Sequence, residues 1–248
     1  MKINQFLDAT YLKTAEQAGI TEEENLQNVI SLVEEAILYE YKLIMIRANY
    51  IKVVKRLLND AKSNVLVGTV IDFPAGNSSV ENKILEAKEA INLNVDELDF
   101  VVNYNAFKND EFSLIENEIE ECTSLCLKHN KKAKFIIEVA ALSSEEIIVI
   151  SQLIKKVVIK NFGLENAKNV YVKSSTGFFK TDDNSANGAT LETIKLISDN
   201  AKPLKVKAAG GVRNYEMAIK MIDLGVDRIG TSSSKQILNK EQNSNQGY

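Results

Sequence analysis

Short apolar runs alternate with longer segments of helical periodicity along almost the whole chain. The runs have strand length, and several are nearly continuous in apolar and β-branched residues, which is typical of parallel strands buried on both faces. Strict alternation of strand and helix indicates a parallel sheet. The strand candidates cover 6–8, 43–46, 65–71, 97–102, 134–139, 169–173, 204–208 and 227–230.

A helix candidate follows each strand candidate, and three of these helices begin with a Ser or Thr three residues before a Glu, at Thr21, Ser78 and Ser143. Eight such units in 248 residues favour an α/β protein with a single-domain (β/α)8 TIM barrel over an open doubly wound sheet. We expect the barrel to cover 1–238 and a polar tail to cover 239–248. The glycine spacings of dinucleotide-binding and P-loop folds do not occur.

Composition excludes several classes of function. Thirty basic against 34 acidic residues give a net charge of −4, so no nucleic acid partner is expected. No apolar run of membrane-spanning length and no signal peptide is evident, which favours a cytoplasmic protein with no membrane partner. A single histidine, His129, with Cys122 and Cys126, is too few ligands for a catalytic zinc site. We therefore expect no metal, no cofactor, and two buried thiols in a reducing compartment.

Two lysines stand out, because catalytic groups of such barrels project from the C-terminal ends of the strands. Lys173 and Lys207 end neighbouring strand candidates, and each precedes a glycine-containing turn. Their ammonium groups are thus expected to lie close together. The alternative is that both are solvated surface lysines. Further polar residues at strand ends are Asp8, Asp99 and Glu138.

Seven tracts resemble the deoxyribose-phosphate aldolase family, and they follow the family's order from residue 6 to about 238. They are LDAT at 7–10, VIDFPAG at 70–76, DELDFVVN at 96–103, IIE at 136–138, VKSSTGF at 172–178, VKAAGGVR at 206–213 and RIGTSS at 228–233. The resemblance implies a metal-independent class I aldolase that interconverts 2-deoxy-D-ribose 5-phosphate with acetaldehyde and D-glyceraldehyde 3-phosphate.

The resemblance also implies roles for individual residues. Lys173 would form the Schiff base, Lys207 would be its partner, Asp99 would share in proton transfer, and Asp8 would bind a substrate hydroxyl. A free lysine amine has a pKa of about 10.4, so a nucleophilic lysine needs about 4 kcal/mol of differential interaction to be half neutral near pH 7. Burial and a second cation both act in that direction.

Glycines, serines and one valine at the ends of strands six to eight are expected to bind the phosphate, because glycine lets backbone N–H groups approach an anion closely. They are Gly177, Gly188, Gly210, Gly211, Val212, Ser232 and Ser233.

The chain departs from the family pattern at Arg47, in a tract where the family usually has a cysteine and then Asn-Pro, and near Gly188, where two adjacent glycines are common. The terminal Tyr248 is expected either to fold over the pocket and assist proton transfer or to be disordered. Two alternative functions stay open: another Schiff-base aldolase with a different phosphorylated sugar, and a sugar-phosphate-binding barrel without turnover. A homodimer also stays open.

Overall fold

Eight parallel strands form a closed barrel in a computed structural model that describes residues 2–181 and 186–240. The strands pair in chain order, and the first closes on the last through Leu7 opposite Ile229. The predicted single-domain (β/α)8 barrel is therefore confirmed. The strands are β1 Leu7–Thr10, β2 Leu43–Ile46, β3 Leu66–Ile71, β4 Glu97–Val101, β5 Lys132–Ile136, β6 Val170–Lys173, β7 Lys205–Ala209 and β8 Arg228–Thr231.

Helices surround the barrel and bury their apolar faces against the outer face of the strands. This layer accounts for the helical periodicity of the intervening segments. The helices are α1 Ala15–Ala18, α2 Glu22–Tyr39, α3 Ile51–Asp60, α4 Val80–Asn92, α5 Tyr104–Lys108, α6 Phe112–Lys128, α7 Ser144–Phe162, α8 Leu191–Ala201, α9 Tyr215–Asp223 and α10 Ser234–Leu238. No helix within the described ranges is long and apolar enough to cross a membrane.

The predicted capping boxes hold at two of three helices. Thr21 and Ser143 each accept a hydrogen bond from the backbone of the Glu three residues on, and that Glu side chain returns the bond. At α4 the prediction is wrong, because Ser79 is the N-cap and accepts from the backbone of Asn82. Ser78 is instead engaged by Asp72, whose carboxylate accepts from both its hydroxyl and its backbone N–H at 2.8 Å.

Three element boundaries that matter for the site differ from the predicted ones. Strand β5 ends at Ile136, because Glu138 adopts a left-handed conformation with φ 56° and turns the chain. Strand β7 extends to Ala209, so Lys207 lies in the middle of its strand. The last helix, predicted from the sequence over 232–238, begins at Ser234 as α10.

Cys122 and Cys126 are free and buried on α6, as predicted, and His129 lies exposed at the end of that helix. Both cysteines lie on a helix outside the barrel and not on a strand that lines its interior. Within the described residues, no group of three or more His, Cys, Asp or Glu side chains is arranged to hold a metal ion.

Candidate active site

Seven charged side chains fill the interior of the barrel, and each residue is at most 3% exposed. A strand directs alternate side chains to opposite faces, so charged residues spaced by two on β4 enter the same interior. The outer face of the same strands is apolar and packs on the helices. The seven residues are Asp8, Glu97, Asp99, Lys134, Lys173, Lys207 and Arg228.

Asp99 is the centre of this group. Its Oδ2 accepts hydrogen bonds from Nζ of Lys173 at 2.8 Å and from Nζ of Lys207 at 2.9 Å. Its Oδ1 accepts from Nζ of Lys134 at 2.7 Å. The register of the barrel explains this convergence, since Lys173 lies opposite Lys207 and Asp99 lies opposite Lys134. The two predicted lysines therefore meet at one carboxylate oxygen.

The remaining interior charges continue the network away from Asp99. Nζ of Lys207 lies 2.7 Å from Oδ2 of Asp8, and Arg228 donates to Oδ1 of Asp8 at 2.7 Å. The other Arg228 nitrogen donates to both oxygens of Glu97 at 2.6 and 2.7 Å. Nζ of Lys134 lies 2.7 Å from Glu97, which returns the network to Asp99.

The network holds three carboxyl groups and four basic groups. With all seven ionised the interior would carry one excess positive charge, and a neutral Lys173 amine removes it. Burial lowers the pKa of Lys173 to about 8, and Lys207 and Lys134 act in the same direction against the attraction of Asp99. The lowered pKa makes a neutral Lys173 amine accessible near neutral pH.

The carboxylates beside these cations stay ionised. Burial by itself would raise the pKa of Asp99, but Lys134, Lys173 and Lys207 hold it well below its usual range. Burial opposes ionisation of Glu97 in the same way, and Lys134 and Arg228 still lower its pKa to about 2. Asp99 thus remains a hydrogen-bond acceptor for both lysines throughout the neutral pH range.

Glu138 orders the loop that follows Lys173. Its carboxylate accepts from Oγ of Ser175 at 2.6 Å and from the backbone and hydroxyl of Thr176. Burial raises the pKa of Glu138, although these hydrogen bonds oppose the rise. Ser174 joins the same loop to β7, since its hydroxyl donates to the carbonyl of Ala209 at 2.8 Å.

A cavity of about 250 Å³ opens at the C-terminal ends of the strands, and Lys173 lines it. Five of the residues predicted to bind phosphate also line it: Gly177, Gly210, Gly211, Val212 and Ser232. Two cations at its wall, Lys13 and Arg213, were not predicted. They lie in tracts that the resemblance covered or adjoined, but a single charged residue in a loop gives no signal of its own.

Other predicted site residues lie outside the lining. Gly188 packs against Gly210, where an added Cβ would come within 2.5 Å of the Gly210 Cα. The backbone N–H of Ser233 donates to the hydroxyl of Thr231 at 3.0 Å. Asp8 is fully buried beneath Lys207, away from the cavity wall. Tyr248 lies outside the described residues.

Three members of the interior network, Glu97, Lys134 and Arg228, were not identified from the sequence. For two of them a signal was present as period-two alternation of charged residues, with Glu97 two residues before Asp99 and Lys134 two residues after Lys132. Because the predicted β5 began at Lys134, that lysine lay at the strand's far end from the site. The observed strand begins two residues earlier and brings it level with Asp99.

Comparison with known proteins gives a consistent result. A family model described as DeoC/LacD family aldolase matches residues 8–239. A deoxyribose-phosphate aldolase of Thermococcus gammatolerans is 35% identical over 244 residues, covering 98% of each chain. One from Clostridium kluyveri is 37% identical over 243 residues, covering 97% of this chain and 98% of its own.

Solved structures agree. An aldolase called QR15 is 30% identical with a TM-score of 0.76, over 96% of this chain and 94% of its own. The tetrameric deoxyribose phosphate aldolase of Aeropyrum pernix has the same TM-score at 24% identity, over 96% of this chain and 89% of its own, and shows the shared fold.

Proposed function

The chain belongs to the DeoC/LacD family of aldolases, and from that premise we propose how its barrel acts on its substrate. It is a lyase that reversibly cleaves 2-deoxy-D-ribose 5-phosphate to acetaldehyde and D-glyceraldehyde 3-phosphate. The observation that carries the mechanism is the environment of Lys173: a buried amine with a pKa lowered to about 8, bonded to Asp99 and open to the cavity.

The neutral Lys173 amine attacks the C1 aldehyde carbon of the sugar phosphate, and loss of water gives an iminium ion. A base removes the proton of the C3 hydroxyl, the C2–C3 bond breaks, and its electron pair passes to the iminium to form an enamine. The C3 fragment leaves as D-glyceraldehyde 3-phosphate. Protonation of the enamine carbon and hydrolysis of the iminium then release acetaldehyde and restore Lys173.

Lys207 and Asp99 are placed to serve these proton transfers. The amines of Lys173 and Lys207 both donate hydrogen bonds to Oδ2 of Asp99, so Lys207 stays beside Lys173 when Lys173 is neutral. Asp99 stays ionised and fixes the two amines relative to each other. Proton transfer between this pair and the substrate, directly or through one water, is the role we assign to them.

The phosphate binds at the opposite end of the substrate, against Gly177, Gly210, Gly211, Val212 and Ser232. Glycines allow backbone N–H groups to approach its oxygens, and Lys13 and Arg213 bring positive charge to the same cavity. Gly188 and Ser233 act behind this surface by fixing the loops that carry it. Contact of Asp8 with a substrate hydroxyl stays a prediction, and its observed contacts give it a role in holding Lys207.

We propose that 1–238 form the catalytic domain with 239–248 as a polar tail, and that Tyr248 assists proton transfer, which deletion of that residue would test through turnover. The two free buried cysteines favour a cytoplasmic location. The binding partners are the phosphorylated sugar and aldehydes, without metal, nucleic acid or membrane, and a homodimer is the simplest assembly.

The test is chemical trapping. The protein is incubated with acetaldehyde and sodium borohydride, digested, and mapped by mass spectrometry. We expect an N-ethyl group on Lys173, its loss in Lys173→Ala, and its retention in Lys205→Ala, which removes a half-exposed lysine of the neighbouring strand. A barrel that only binds sugar phosphates would give no adduct, and an aldolase for another sugar would give the adduct without cleaving 2-deoxy-D-ribose 5-phosphate.

A further inference from the structure

Arg47 follows β2 and joins two loops at the mouth of the barrel. Its Nε donates to the carbonyl of Leu12, in the segment after β1, at 2.9 Å. Its Nη1 donates to the carbonyl of Phe73, in the segment after β3, at 3.2 Å. Because the guanidinium group is planar and holds its donors in a rigid fork, these two bonds fix the distance between the loops.

The same guanidinium packs on an aromatic pair. Its central carbon lies 4.8 Å from the centroid of the Phe73 ring, the geometry of a cation–π contact. Phe73 and Phe178 in turn form an edge-to-face pair, with 5.0 Å between ring centroids and 79° between their planes. Arg47 thus packs on Phe73, and Phe73 packs on Phe178, which belongs to the loop after Lys173.

This stack reaches the cavity through Phe178. Leu12 and Phe178 both line the cavity that Lys173 opens into. Phe73 and Phe178 pack against a small apolar cluster inside the barrel mouth that includes Leu12 and Met45. We name Leu12, Phe73 and Phe178 the apolar wall. Arg47 does not line the cavity, but it bonds to two members of this wall and thereby reaches the third.

We propose that Arg47 is a positioning residue that sets the size of the cavity beside Lys173 and so limits the aldehyde that forms the enamine to acetaldehyde. The inference rests on the proposed aldolase function and deepens it by naming a specificity determinant. Removal of the fork frees the Leu12 and Phe73 loops and lets the apolar wall retreat. The cavity then admits a donor with one more methylene, such as propanal.

The experiment compares acetaldehyde and propanal as donors to D-glyceraldehyde 3-phosphate in the wild type, Arg47→Ala and Arg47→Lys. A methylene in an apolar pocket changes kcat/KM by about tenfold or more. We expect the propanal-to-acetaldehyde ratio of kcat/KM to rise about tenfold in Arg47→Ala, with KM for acetaldehyde raised and kcat little changed. Arg47→Lys keeps the charge without the fork and is expected to shift the ratio in the same direction.

Arg56→Ala is the matched control, because Arg56 is exposed on α3 and its removal should leave the ratio unchanged. If Arg47→Ala does not fold, Phe73→Leu removes the ring under the guanidinium and should give the same shift. A folded variant whose ratio stays within twofold of the wild type overturns the inference. Failure of the aldolase assignment would be seen separately, as a wild type that neither forms the Lys173 adduct nor cleaves the sugar phosphate.

Discussion

Replacing Lys207 by Met tests the electrostatic origin of the reactive amine. Lys173 and Lys207 bond to one Asp99 oxygen at 2.8 and 2.9 Å. Their nitrogens are therefore less than about 6 Å apart, and at an effective dielectric constant of about 20 the repulsion between two ammonium groups is at least about 3 kcal/mol. Without Lys207 the interior holds three carboxyl groups and three basic groups, so neutrality favours the protonated form of Lys173.

Lys207 lowers the pKa of Lys173, so its loss raises that pKa. The pH at which half of Lys173 is neutral should move from about 8 to about 10, because about 3 kcal/mol corresponds to roughly two pH units. At pH 7.5 the neutral fraction then falls about 50- to 100-fold.

The assay is the initial rate of borohydride trapping of acetaldehyde on Lys173, measured from pH 6 to pH 11. Trapping needs the free amine, so Lys207→Met should trap slowly at pH 7.5 and recover at high pH. Lys205→Met is the control, because Lys205 is the first residue of the same strand, where it is 40% exposed and pairs with Asp227 instead of Asp99. A folded Lys207→Met protein whose trapping midpoint stays near pH 8 would refute the electrostatic argument.

Two further predictions follow from the packing and charge of the site. Gly188→Ala places a Cβ about 2.5 Å from the backbone of Gly210, so we expect KM for 2-deoxy-D-ribose 5-phosphate to rise about tenfold or more while acetaldehyde trapping on Lys173 is unchanged; an unchanged KM would contradict the assigned loop packing. The pKa of Glu97 is lowered to about 2, so its stabilising contribution is present above about pH 4.5 and is lost as the pH falls toward 2. Urea titrations should show the free energy of unfolding decreasing over that range by about 3 kcal/mol from this group, and a flat profile would count against its ionised state in the barrel.

Lys173 and Lys207 show best how much of the site could be predicted from the sequence. Lys173 ends an apolar strand before a glycine turn, and strand order alone places it beside the strand of Lys207. Their proximity could be predicted because neighbours along the chain are neighbours in a (β/α)8 barrel. Lys134 and Arg228 were missed, because convergence on a common carboxylate depends on the register of strands that are distant in sequence.

Contacts between loops likewise could not be predicted from the sequence. The glycines after β6 and β7 signalled a site for an anion, but the contact between Gly188 and Gly210 requires two loops to meet in space. The bonds from Arg47 to Leu12 and Phe73 have no counterpart in the local pattern, which shows only an arginine after a short apolar run.

By itself, the sequence determined the alternation of strands and helices, the barrel, and the strand ends that carry the chemistry, because these depend on local periodicity and on chain order. Only the tertiary structure decided the charge balance and the burial that lower the pKa of Lys173. That balance sums Coulomb interactions and desolvation over six strands, and both depend on distances and burial that exist only once the barrel has closed.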